Sequence, residues 1–254
     1  MHVQRHHGQS SLFAPNPDSS WFAQTRPGEG EQVAEYLADI STIDEYCVEH
    51  DIRPDFLKSD SEGSELMVLQ GAKEQLDNFL GIRCETQFEQ VFLGAPTFAD
   101  IFGLLTSHGF TLLNLDYNGR GSPVNKFFIG GRYGVLTGTD ATWVKRVEDI
   151  LTWPGEEMVI AARAAKYALF CFANGASDVA MQMLLLASQK CQFSKLYGTR
   201  LLKSLDIAVQ KLFYQLLQHP AYSQTELQGV YMSLFNRPLK RWHEFFESDE
   251  FNPS

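Results

Sequence analysis

The sequence predicts an α/β fold for residues 1–138, followed by an all-helical extension at 139–254. Residues 42–137 alternate short apolar stretches with helical periodicity, which is typical of a sheet covered by helices. The last predicted strands of this region are joined by a turn too short for a parallel crossover. The sheet is therefore expected to end in an antiparallel hairpin.

Capping and turn residues divide the α/β region into its elements. Thr42 and Glu45 form a capping-box pattern at the start of a short helix that ends near His50. The next predicted elements are a strand at 56–59, a helix at 64–80, a strand at 81–88, a helix at 97–108 and a strand at 110–115. A turn at 118–121 and extended segments at 125–129 and 133–136 complete the hairpin.

After Gly138 the periodicity is helical throughout. The predicted helices lie at 139–153, 156–174, 177–189, 199–219 and 223–236. An extension of about 100 residues has an ordinary size for a small packed bundle.

Composition excludes some classes of partner. The chain has 254 residues and a formal net charge of -10, with 21 Lys and Arg against 31 Asp and Glu. Binding to nucleic acid or to an anionic membrane surface needs a basic patch, so neither partner is expected. No apolar stretch is long enough to span a bilayer.

Cysteine usage favours a cytoplasmic protein. Cys47, Cys84, Cys171 and Cys191 lie in apolar or periodic segments, and no two of them have the C-x-x-C spacing. They are interpreted as reduced thiols of the core. The first residues lack the apolar core of a signal peptide.

The first 40 residues are rich in Pro, Gly, Ser and polar groups. Residues 11–15 are predicted as a short strand. His2, His6 and His7 are interpreted as part of an unstructured polar terminus rather than as metal ligands.

Three acids follow predicted strands and mark a candidate site. Asp60 and Glu62 come after the strand at 56–59, and Glu85 is expected to end the neighbouring strand, with Gln87 two residues further on. Residues two apart in extended backbone point the same way, so the carboxylates are expected to face one pocket at the sheet edge. Gly63 is expected to serve the tight turn from strand to helix.

Several roles are open for these acids. They can bind a hydroxyl substrate, act as a general base or hold a divalent cation. In the alternative, the acids have no role in chemistry, and the Glu62 carboxylate only complements the positive end of a helix dipole.

The segment from Asp55 to Ala72 resembles the signature of FkbM-type methyltransferases. The matching residues are Asp55-Phe56-Leu57-Lys58-Ser59-Asp60-Ser61-Glu62-Gly63-Ser64-Glu65-Leu66 and Val68-Leu69-Gln70-Gly71-Ala72. The resemblance extends over about residues 8–137. Ser59 and Ser61 depart from the apolar residues usual in the family, and a buried Ser needs a hydrogen-bond partner.

The resemblance implies a class I, Rossmann-like sheet and S-adenosylmethionine as methyl donor. It further implies O-methylation of a hydroxyl on a sugar or secondary metabolite, so that the expected partner is a small-molecule or glycan acceptor. Asp60 is the expected base or acceptor-orienting residue, with Glu62 and Glu85 as supporting acids. No metal ligands are assigned, although a magnesium-dependent acidic site is an alternative.

The strands that bind the donor in this fold have no counterpart in residues 1–40. The nearest glycine-rich segment, Pro27-Gly28-Glu29-Gly30, follows no apolar strand. We therefore expect a chain without its donor-binding strands, with exposed sheet edges that favour a homo-oligomer. The alternative from another functional class is a non-catalytic binding or scaffold protein.

Overall fold

The computed structural model describes residues 1–116, 120–121, 135–152 and 154–239. The predicted strand at 125–129 and part of the turn at 118–121 lie outside these ranges. The chain forms two compact units, Met1–Arg146 and Val147–Ser254. None of the described helices is long and apolar enough to cross a membrane.

The N-terminal region is ordered, so its interpretation as an unstructured terminus was wrong. Strand β1 (His2–Gln4) pairs antiparallel with strand β2 (Gln32–Glu35). His2 also hydrogen-bonds through its ring to Gln32. The predicted strand at 11–15 forms only isolated bridges, from Ser11 to His2 and from Pro15 to Phe92.

Helix α1 (Ile43–Glu49) begins as predicted. The Thr42 hydroxyl accepts a hydrogen bond from the Glu45 backbone N–H at 3.1 Å, and the Glu45 carboxylate accepts one from the Thr42 N–H at 3.0 Å. This reciprocal capping satisfies two N–H groups that the helix leaves unpaired.

The main sheet is mixed, which confirms an α/β architecture. It contains β3 (Phe56–Ser59), β4 (Gly81–Gln87), β5 (Phe110–Asp116) and β8 (Gly138–Lys145), in the order β3-β4-β8-β5. β3 and β4 are parallel, whereas β8 runs antiparallel to both β4 and β5. Two short strands, β6 (Arg120–Gly121) and β7 (Val135–Leu136), form a separate pair.

The predicted helix at 139–153 was wrong, because residues 139–145 of this segment belong to β8. Ala141, Trp143 and Val144 are buried between two neighbouring strands. β-Branched and aromatic side chains suit a central strand that is covered on both faces. Within this segment, only α5 (Val147–Leu151) is helical. The sheet does end in an antiparallel pair, but β5 pairs with β8 rather than with the earlier segment that was predicted.

The predicted helix at 64–80 is interrupted. It is divided into α2 (Glu65–Gln70) and α3 (Lys73–Leu76). The Gly71 carbonyl accepts from the Asp44 N–H at 2.9 Å, and the Asp44 carboxylate accepts from the backbone N–H groups of Glu74 and Gln75 at 3.0 and 3.2 Å. Asp44 thus caps a second helix start, which explains the break.

One hydrophobic core lies between the main sheet and its helices. Helix α4 (Phe98–Ser107) contributes Ile101 and Leu105 to it. Other fully buried members are Leu69, Leu76, Phe79, Ile82, Cys84 and Trp143. All four cysteines are buried and free, as expected for core thiols.

The second unit is helical, in agreement with the periodicity. Its longer helices are α6 (Glu157–Ala173), α7 (Ser177–Ala187), α8 (Arg200–Leu216) and α9 (Gln224–Phe235). Inside this unit the buried Asp206 accepts hydrogen bonds from Gln210, Tyr231 and Arg237. Because its oxygens are already bound, Asp206 is a structural group.

Candidate functional site

The register of β3 and β4 brings two acids side by side. Ser59 pairs with Cys84 at the end of β3. Asp60 directly follows Ser59, and Glu85 directly follows Cys84. The parallel register of the two strands therefore places Asp60 and Glu85 at the same level of the sheet. Glu85 does not end its strand as predicted, because β4 continues to Gln87 and pairs with β8 over that length.

A tight turn places the third acid. Glu62 and Gly63 both adopt left-handed backbone, with φ of 53° and 95°. The Glu65 carboxylate accepts from the Ser61 N–H at 2.6 Å, the Ser61 hydroxyl at 3.0 Å and the Gly63 N–H at 2.9 Å. These bonds hold the strained conformation of Glu62, and they give Ser61 the partner that its departure from the family pattern requires.

The three acids predicted from the sequence converge. Asp60, Glu62 and Glu85 each offer a carboxylate oxygen, and these oxygens lie within 4.8 Å of one another. Glu62 and Glu85 line a cavity of about 80 Å³. The other lining residues are Gln9, Trp21, Gln87, Val91, Thr137 and Gly138.

Partial burial and nearby negative charge both change the titration of Glu62 and Glu85. Burial raises the pKa of Glu62 to about 7, and the charges of Asp60 and Glu65 act in the same direction. Burial also raises the pKa of Glu85, with further contributions from Glu62 and Glu65. Perturbed carboxyl groups that share a cavity are typical of functional sites.

Among the described residues, Asp60 is the acid of this cluster that pairs with a cation. The Asp60 carboxylate is more than half exposed and bonds the Lys58 ammonium at 3.1 Å. Lys58 and Arg83 both bond Asp140, at 3.1 and 2.9 Å. No Lys or Arg in the described part of the chain forms an ion pair with Glu62 or Glu85, so their charges are not neutralised.

Three residues that line the same cavity each have a buried acceptor atom without a hydrogen-bond partner in the described part of the chain. These atoms are the Oε1 atoms of Gln9 and Gln87 and the Oε2 atom of Glu85. Sequence reasoning missed Gln9 and Trp21 because they lie in a polar segment without periodicity. The Ser11 hydroxyl donates to the Glu62 carbonyl at 2.5 Å, which fixes this N-terminal segment to the turn.

Comparison with family models gives a match for the N-terminal part of the chain. Residues 1–112 match the family model described as the methyltransferase FkbM domain. This part of the chain is therefore similar to an FkbM methyltransferase domain. All three acids lie within the match, which ends in β5, short of the limit near residue 137 expected from the resemblance. Searches of curated proteins and of solved structures gave no match.

Replacing Gly63 with Ala tests the turn that places Glu62. Gly63→Ala should lower the free energy of unfolding by roughly 2–3 kcal/mol, because an added Cβ combines left-handed strain with a steric clash. That Cβ would lie 3.0 Å from Phe92 and 3.3 Å from Ala95. Urea denaturation measures the change.

Gly94→Ala is the matched control for this substitution. Gly94 has a φ of 75°, and an added Cβ there meets nothing within 4 Å. Gly94→Ala should lower the free energy of unfolding by only about 1 kcal/mol, which is the cost of placing alanine in left-handed backbone without a steric clash. Equal losses in the two variants would contradict the packing of Gly63 against Phe92.

The raised pKa of Glu62 makes stability depend on pH. Below about pH 4.5, Glu62 is protonated in both the folded and the unfolded states. Between about pH 4.5 and pH 7, Glu62 is ionised in the unfolded state but still protonated in the folded state. The free energy of unfolding therefore falls as the pH rises through this range. Glu62→Gln should therefore be more stable than the parent at pH 8, by on the order of 2 kcal/mol after allowance for solvent screening, and not below pH 4.5.

Thermal unfolding in metal-free buffer across this pH range measures the effect. Glu49→Gln is the control, because it removes the same charge from an exposed position at the end of α1. A parallel response of the two variants would show that Glu62 titrates like a surface group.

Proposed function

We propose that this chain is a methyltransferase that transfers a methyl group from S-adenosylmethionine to a hydroxyl of a sugar or secondary metabolite. The observation that carries the proposal is the convergence of Asp60, Glu62 and Glu85 within the segment that matches the FkbM domain. Acids at the carboxyl ends of strands are where an α/β sheet places its chemistry.

Methyl transfer to an alcohol needs a group that takes the hydroxyl proton as the oxygen attacks. Glu62 suits this role because its carboxylate lines the cavity and its pKa is raised to about 7, close to neutral pH. Glu85, whose pKa is also raised, would keep its proton and donate a hydrogen bond to the acceptor.

The role of Asp60 changes from that expected from the sequence. Its carboxylate is held by Lys58 and is more than half exposed, so it is less suited to act as the base than Glu62. We assign Asp60 to the rim of the cavity, where it would orient a second hydroxyl of the acceptor. Sugars and many secondary metabolites carry neighbouring hydroxyls that fit this division of roles.

The acid cavity does not fit the methyl donor. Its volume of about 80 Å³ accepts a hydroxyl group, whereas pockets for drug-sized ligands have roughly 300–1,000 Å³. A larger groove of about 580 Å³ lies beside α1 and α2. There Ser41, Thr42 and Glu45 already bond one another in the helix cap, which leaves few polar partners for the donor.

The small cavity favours a second candidate, a binding protein derived from the methyltransferase fold. Such a protein would keep the acids to bind a polyhydroxylated ligand and would not take up the donor. The two candidates differ in donor binding and in methyl transfer.

Methyl transfer can be tested directly with labelled S-adenosylmethionine and a panel of monosaccharides and glycosides. Glu62→Gln should lower turnover by roughly 10²–10⁴-fold, the usual contribution of a general base. Asp60→Asn should raise KM for the acceptor more than it lowers kcat, because it acts through orientation. Glu49→Gln should match the parent, and undiminished turnover in Glu62→Gln would contradict the assignment.

Calorimetric titration with S-adenosylhomocysteine separates the two candidates. The methyltransferase proposal predicts saturable binding at micromolar concentrations. Glu62→Gln should retain that binding, because the acids act on the acceptor rather than on the donor. A folded chain that gives no heat of binding would instead support the binding protein.

A further inference from the structure

We propose that Asp60, Glu62 and Glu85, together with the amide oxygen of Gln87, form a binding site for a hard divalent cation. The inference concerns cation binding itself and does not depend on methyl transfer. Three carboxylates and an amide carbonyl make an all-oxygen ligand set, which is the set that Ca²⁺, Mg²⁺ and Mn²⁺ prefer.

The spacing of the carboxylate oxygens fits such an ion. Oxygens of Asp60, Glu62 and Glu85 lie within 4.8 Å of one another. Ligands on opposite sides of Ca²⁺ are roughly 4.6–5.2 Å apart. Three oxygens that lie no further apart than 4.8 Å are therefore close enough together to bind one ion of that size.

Gln87 supplies an observation that is independent of the acids. Gln87 is 4% exposed and lines the same cavity as Glu62 and Glu85. Its Oε1 atom has no hydrogen-bond partner in the described part of the chain. Glu85 Oε2 is likewise buried without a partner. Buried acceptors left unpaired cost free energy. A cation in the cavity would give both oxygens a partner at once.

The surrounding charges leave the site open to a cation. Among the described residues, no side chain that lines the cavity carries a positive charge. Lys58 bonds Asp60 but is shared with Asp140, on the outer side of the cluster. The nearby Glu65 is already occupied by backbone and hydroxyl donors, so it is not a ligand.

Terbium luminescence provides a direct test, because Tb³⁺ replaces Ca²⁺ in oxygen sites and is excited by a nearby tryptophan. Trp21 lines the cavity and is positioned to act as the sensitiser. Titration of the chain with TbCl₃ should give saturable emission, and excess CaCl₂ should abolish it by displacing Tb³⁺.

Three variants locate the site. The double variant Glu62→Gln and Glu85→Gln should lose at least tenfold in affinity, and it should stay folded because it removes charge repulsion. Trp21→Phe should lower the emission while leaving Ca²⁺ affinity unchanged in calorimetry. Glu49→Gln removes an exposed charge and should match the parent.

The proposal is overturned if Tb³⁺ emission does not saturate, or if the double variant binds Ca²⁺ as tightly as the parent. Circular dichroism of each variant establishes that lost affinity does not come from unfolding. Equal loss in Glu49→Gln would indicate general attraction to an acidic chain and would likewise overturn a defined site.

Discussion

The buried Glu65 carboxylate is the interaction on which the site depends. It is 2% exposed and binds two backbone N–H groups and one hydroxyl of the turn before α2. Without these bonds the left-handed conformation of Glu62 would have no support, since a non-glycine residue is strained there. Ser11 adds a bond to the Glu62 carbonyl from a segment more than 50 residues away in sequence. The position of the Glu62 carboxylate is thus fixed by local turn chemistry and by one long-range contact.

The sequence was informative wherever chemistry is local. The motif from Asp60 to Gly63 follows a short apolar strand, and the capping box at Thr42 and Glu45 is complete within four residues, so both could be predicted. The resemblance to the FkbM family rested on the same contiguous residues. The prediction that Glu85 and Asp60 converge was confirmed, but the reason differs. The parallel register of β3 and β4 places them at one level, whereas Glu85 does not end its strand.

Long-range pairing explains most of what could not be predicted. β8 was taken for a helix because its place between β4 and β5 is decided by partners that are distant in sequence. The break between α2 and α3 depends on Asp44, which belongs to another helix. Gln9 and Trp21 reach the cavity from a segment whose composition is polar and whose periodicity is weak. No pattern in the sequence signals such contacts, because they arise from tertiary packing.

Two groups of acids near this sheet differ in their cationic partners. Asp140 has two cationic partners, Lys58 and Arg83, and the same Arg83 bonds Asp116. Glu62 and Glu85 have none among the described residues, and burial together with the charges of neighbouring acids raises the pKa of both carboxyl groups. Repulsion between carboxylates lowers the stability of the protein without ligand. A ligand that relieves this repulsion therefore binds more tightly, because its binding also removes the destabilisation. An acceptor hydroxyl would relieve the repulsion by donating a hydrogen bond to the Glu62 carboxylate, and a divalent cation would relieve it by neutralising negative charge on the carboxylates. A bound cation would also occupy Glu62 as a ligand, so Glu62 could not then act as the base. The two occupants therefore lead to different chemistry from one arrangement of side chains.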